Sequence, residues 1–79
     1  MSSMNKQRRK EIKNVINQLE DLRATIEDIQ LEEQEYFDNM PENFQLGERG
    51  DMANEAIGNM DDALMSIDEL LSSLDCAMA

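Results

Sequence analysis

Seventy-nine residues with 18 acids, 7 bases, no histidine and a single cysteine, Cys76, make one small domain (1–79) of net charge −11. Such a chain has no internal disulfide and no ligand set for structural zinc, and it is too short to bury a large core, so self-association is the expected source of additional stability. Its charge is also segregated, because Lys6, Arg8, Arg9, Lys10 and Lys13 hold five of the seven bases, and a body so negative beyond them is expected to repel nucleic acid.

Residues 1–10 are polar and basic and no apolar stretch of a signal peptide follows them, nor does any later run reach the roughly 18–20 apolar residues that span a bilayer. The lone cysteine suits a reducing compartment. The expectation is a cytoplasmic protein with no membrane contact.

From Ile12 the apolar residues recur as Ile12, Val15, Leu19, Leu22, Ile26 and Ile29, continuing through Glu33 to Tyr36. These alternating steps of three and four define a heptad, with Ile12 at position a and Val15 at d. Pro41 cannot lie inside a helix and disfavours helical dihedrals at Met40. A first helix over about residues 5–39 and a turn over about 40–47 follow.

After Gly47 the register restarts as Ala53, Ala56, Met60, Ala63, Ile67, Leu70, Leu74 and Ala77, predicting a second helix over about 48–76. Acids at Glu48, Asp51 and Glu55 suit the positive end of its dipole. Both helices would be roughly 45–50 Å long at 1.5 Å per residue. Matched lengths and a short connection predict an all-α, antiparallel two-helix hairpin with coiled-coil-like packing. Its a/d alanines would bring the backbones close, and the bases Lys6–Lys13 would lie beside Asp68, Glu69 and Asp75, the alternative for residues 1–7 being a basic tail frayed into solvent.

The second helix has a further apolar stripe at position e, namely Ile57, Leu64, Leu71 and Met78, echoed in the first by Ile16 and Phe37. Two helices cannot cover a face that wide, so this stripe is the expected self-association surface of a homodimeric four-helix bundle. The alternative is that a long hairpin leaves it half exposed.

No chemistry-bearing motif stands out. There is no glycine-rich phosphate loop and no nucleophile-and-base pair, and neither enzymatic activity nor a cofactor or metal is expected. Glu32, Glu33, Glu35 and Asp38 cluster, but acids fall mostly on outward positions. At b and c they form ladders: Glu20–Asp21, Glu27–Asp28 and Glu35 on the first helix, and Glu55, Asp61–Asp62, Asp68–Glu69 and Asp75 on the second. Successive rungs lie about 10.5 Å apart. Such rows either solvate the hairpin or imitate a phosphate backbone toward a basic protein surface.

All three aromatics, Tyr36, Phe37 and Phe44, fall around the turn with Met40, Pro41 and Leu46. They either plug the end of the bundle or anchor a partner, and both roles are compatible. The partner-binding candidates are therefore Tyr36, Phe37, Met40 and Phe44 at the tip and Asp61, Asp62, Asp68 and Glu69 on the ladder.

The run Glu35-Tyr-Phe-Asp-Asn-Met-Pro-Glu-Asn-Phe-Gln, followed by Gly47-Glu-Arg, resembles a group of small acidic helical proteins from phages and prophages of Gram-positive bacteria. Many of those turns have Ser before Glu-Arg, where this chain has Gly47, a slightly weaker helix cap. The resemblance implies a mobile-element origin and assigns no activity. Together these features suggest a non-catalytic protein-binding module, an inhibitor or modulator of a host protein with a basic surface, in its narrowest form an antidefence nucleic-acid mimic. The alternative is a self-assembling scaffold.

Overall fold

A computed structural model describes residues 4–79, and residues 1–3, part of the basic N-terminal segment, lie outside the described residues. Three helices occur among them: α1 Lys6–Asp38, α2 Glu42–Gln45 and α3 Glu48–Met78. There is no strand among the described residues. The long helices α1 and α3 pack against each other along their length and the one-turn α2 packs on α3.

Each boundary has a local cause. Asn5 caps α1 by accepting a 2.8 Å hydrogen bond from the Arg8 amide at its side-chain oxygen. The first turn of α1 contains no acid, so its bases oppose the helix dipole and this cap carries more of the burden. Pro41 closes α1 and opens α2, its carbonyl accepting from the amides of Phe44 and Gln45. Gly47 is the N-cap of α3 in extended backbone and offers no side-chain bond, while Glu48 and Asp51 supply negative charge in the first turn.

The pairing of α1 with α3 differs from the predicted a/d seam. On α1 the half-buried positions include Ile12, Ile16, Leu19, Arg23, Ile26, Gln30, Glu33 and Phe37, which are positions a and e. On α3 Gly50, Ala53 and Leu64 are buried and Ile57, Met60, Ile67, Leu71, Leu74 and Met78 half-buried, again a and e; position d is half-buried at Ala56 and Ala63 and exposed at Leu70 and Ala77. Ile57, Leu64, Leu71 and Met78, expected on the outside of the hairpin as its self-association stripe, therefore line its inside. The physical reason is bulk: against α1, the Ile, Leu and Met of the e stripe bury far more apolar surface than the alanines at Ala56, Ala63 and Ala77.

Position d of α1 is left in the open instead. Val15, Leu22, Ile29 and Tyr36 are 45–57% exposed. The only hydrophobic residues classed as buried among the described residues are Ala53 at 2% and Leu64 at 7% exposure. The hairpin measures 60 × 16 × 11 Å, a single layer of two helices.

Polar side chains fix the register. Gln30 donates from Nε2 to the Ile57 carbonyl (3.1 Å) and to Asp61 Oδ1 (2.6 Å). Arg23 donates from Nε and Nη2 to the two carboxylate oxygens of Asp68, at 2.7 and 3.1 Å, and also pairs with Glu27 one turn away on its own helix. The fork geometry suits a carboxylate and sets α1 against α3 at one register. This is the cross-helix ion pair among the described residues; Lys6–Lys13, expected to meet Asp68, Glu69 and Asp75, form none.

Candidate functional site

The tip is built by three short-range constraints. The break at Met40–Pro41 turns the chain off α1, α2 carries Phe44 outward, and Gly50 lets α2 fold back onto α3. Gln45 donates from Nε2 to the Phe37 carbonyl at 3.0 Å, tying α2 to the last turn of α1. Phe44 remains 42% exposed, with the Arg49 guanidinium 5.3 Å from its ring centroid. A cation at that distance over an aromatic face is held by the ring quadrupole.

Tyr36, Asn39, Met40, Pro41, Phe44 and Arg49 line an open groove of about 340 Å³. Three of the four predicted tip anchors thus share one surface. Phe37 does not join them. It lies on the α3-facing side of α1 with Arg23 and Gln30, in the position of a plug, whereas Tyr36, expected to share that role, is exposed. Arg49 is the tip residue that sequence reasoning passes over. Its signal is the spacing of five residues from Phe44 across the Gly47 cap.

The four ladder carboxylates of α3 divide into two pairs. Asp61 and Asp68, at position b, are taken up by Gln30 and Arg23 of α1. Asp62 and Glu69, at c, are exposed with no such cross-helix contact among the described residues. The hydrogen bond from Arg23 holds Asp68 below the usual carboxylate range, and the same bond raises Arg23.

A carboxyl lowered in the folded state stabilises the fold above its unfolded pKa and loses that contribution as pH falls through the folded value. The gap in melting temperature between the wild type and Asp68→Asn is therefore expected to be fully open at pH 7. It should close as pH drops below the ordinary aspartate range, about 3.9. A gap that is independent of pH would show that the pair contributes nothing through charge.

At the opposite end, Lys6, Gln7, Arg9, Lys10 and Lys13 line a depression of about 590 Å³. Arg9 Nε is buried there without a hydrogen-bond partner. No group of three or more His, Cys, Asp or Glu side chains among the described residues is arranged to hold a metal ion, and no described helix is long and apolar enough to cross a membrane. Cys76 is exposed and unpaired.

Fold and surface together define a class: an all-helical hairpin whose notable features are surfaces and not an enclosed cavity. Neither family models, nor curated proteins, nor solved structures show a match to the chain.

Proposed function

We propose that the chain is a non-catalytic interaction protein that binds another protein through its tip. The observation that carries this reading is the exposed groove of Tyr36, Met40, Phe44 and Arg49 set in a strongly negative region. Residues 23–67 hold 12 of the 18 acids and only two of the seven bases. Exposed aromatics supply much of the binding energy at protein interfaces, and a field of one sign steers the approach of a partner of the other sign. The partner this fits is a protein with a basic surface.

The narrower form, an inhibitor or modulator of a host protein, rests on the same exposed aromatic groove and acidic field and would fit a mobile-element origin. A nucleic-acid mimic would use the outward acids Asp62 and Glu69 with Glu20, Asp21 and Asp28, since Asp61, Asp68 and Glu27 are engaged by Gln30 and Arg23.

The test is capture from a bacterial lysate with the tagged protein as bait and duplex DNA as competitor, followed by titration of the recovered partner. Phe44→Ala is expected to weaken binding by about 2 kcal/mol, roughly 30-fold, without loss of helical signal. Unchanged affinity would remove the tip as the anchor. Release of the partner by DNA would favour the mimic, and binding insensitive to salt would exclude it. A second reading, a self-assembling scaffold, is favoured by the open stripe at position d.

A further inference from the structure

The d stripes form an extended apolar surface that the hairpin leaves largely open, with Val15, Leu22, Ile29 and Leu70 each 45–57% exposed; of its residues only Tyr36 is shared with the tip groove. We infer that they form the interface with a second copy of this chain, stacked face to face and head to tail, so that the two tips lie at opposite ends of a four-helix bundle. This deepens the self-association reading above; it rests on Val15, Leu22, Ile29 and Leu70, and of the tip residues it engages Tyr36 alone.

Three observations carry the inference, and the first is area. A compact monomer of 9.1 kDa exposes about 4,900 Å², whereas this chain exposes 6027 Å². The excess, about 1,100 Å², is of the size that one partner contributes to a stable interface, about 800 Å². A single helical layer also lacks the second layer against which folded domains bury their apolar face.

The second is shape. A two-fold axis across the middle of the hairpin would set Leu22 against its own copy and Val15 against Ile29 of the other chain. It would also set Arg8 against Tyr36, a cation over a ring. On α3 an axis at the same level sets Ala63 against Leu70 and Ala56 against Ala77, so that small residues meet large or small ones throughout. In the antiparallel pair the Arg23–Asp68 contact places residue 22 of α1 opposite residue 69 of α3, so the levels of the two helices agree to within one helical turn, about 5.4 Å. One axis serves both helices to that precision.

The third is charge. The tip half, residues 23–67, carries 12 acids and 2 bases; the open half carries 6 acids and 5 bases. Stacking with tips together would superpose two strongly negative halves and two clusters of five bases. Head-to-tail stacking sets Lys6, Arg8, Lys10 and Lys13 of each copy beside the acidic end of α1 of the other. Like charges are then kept apart and unlike charges brought together.

The experiment uses the full chain. Sedimentation equilibrium of the wild type is expected to return twice the 9.1 kDa chain mass. Leu22→Glu with Ile29→Glu should return the single-chain mass. Leu31→Glu with Met65→Glu, which changes exposed apolar residues at position f on the opposite face, should stay dimeric.

Arrangement is read separately by spin labels in a Cys76→Ser background. Labels at Leu22→Cys should lie within about 20 Å of each other, since both sit at the axis. Labels at Tyr36→Cys, each 14 residues from the axis, should lie about 42 Å apart at 1.5 Å per residue. Single-chain mass for the wild type, or dimers that survive the Leu22 and Ile29 changes, would overturn the interface. A short distance between the Tyr36→Cys labels would overturn the head-to-tail arrangement. Failure of partner capture alters none of these readings, and a monomeric wild type that still captures its partner would sink this inference alone.

Discussion

Replacing Leu64 by glutamate is expected to destroy the hairpin and not to split a dimer. Leu64 is 7% exposed and is the one large side chain buried among the described residues, the other buried residues being Ala53 and Gly50. Truncating a buried leucine to alanine typically costs about 2–5 kcal/mol. Glutamate adds an unpaired charge at the seam, three residues after Asp61 and four before Asp68, on the helix face where like charges repel. A domain of this size has on the order of 5 kcal/mol of stability in total. Far-UV circular dichroism should therefore show the helical signal of Leu64→Glu greatly reduced at 25 °C, with no cooperative melt. Leu22→Glu, at a position that is 57% exposed, should keep its helices. A helical Leu64→Glu monomer would mean that the seam runs along the alanines after all.

That contrast shows how far the sequence could be read. The long helices and the break between them follow from local rules, namely a heptad on each side of Pro41 and Gly47 and acids at the start of α3. The face by which the helices meet is a comparison between two stripes on each helix, and the helices disagree. On α1, position d is wholly apolar from Val15 onward (Val15, Leu22, Ile29, Tyr36) while e includes Arg23 and Gln30, so counting favours a/d. On α3, position d is mostly alanine while e is Ile57, Leu64, Leu71 and Met78, so bulk favours a/e.

The fold resolves the conflict through the two polar residues themselves. Arg23 and Gln30 lay their stems along the seam and reach Asp68, Asp61 and the Ile57 carbonyl with their polar ends. Read on one helix alone, an arginine and a glutamine at e mark an outward face. Read against the acids at b of the facing helix, they mark the pairing. At the tip, clustering of the aromatics is visible in the sequence, but which ring turns inward depends on this same choice of face. Phe37 at e follows the seam and Tyr36 at d is left outside it.

Alanine at Gly50 should lower stability by about 1–3 kcal/mol even though alanine is the better helix former by about 1 kcal/mol. Gly50 is buried where α2 folds back on α3, and a Cβ built on it would lie 1.9 Å from the Gln45 carbonyl oxygen and 2.5 Å from its carbon. Those atoms are backbone, so relief requires the whole of α2 to move outward. Gln45 would then be pulled from the Phe37 carbonyl, and Phe44 from its place beside Arg49. Gly58 provides the control, being mid-helix and exposed, with nothing within 4 Å of an added Cβ. Gly58→Ala is expected to raise stability by about 0.5–1 kcal/mol. The comparison is made by chemical denaturation, with the midpoint of Gly58→Ala above that of the wild type and the midpoint of Gly50→Ala below it. If both midpoints rise, α2 does not rest on Gly50, and the groove that presents Met40 and Phe44 is not held in the form described. If only Gly50→Ala falls and its affinity for a captured partner falls with it, the position of α2 is what presents the anchor.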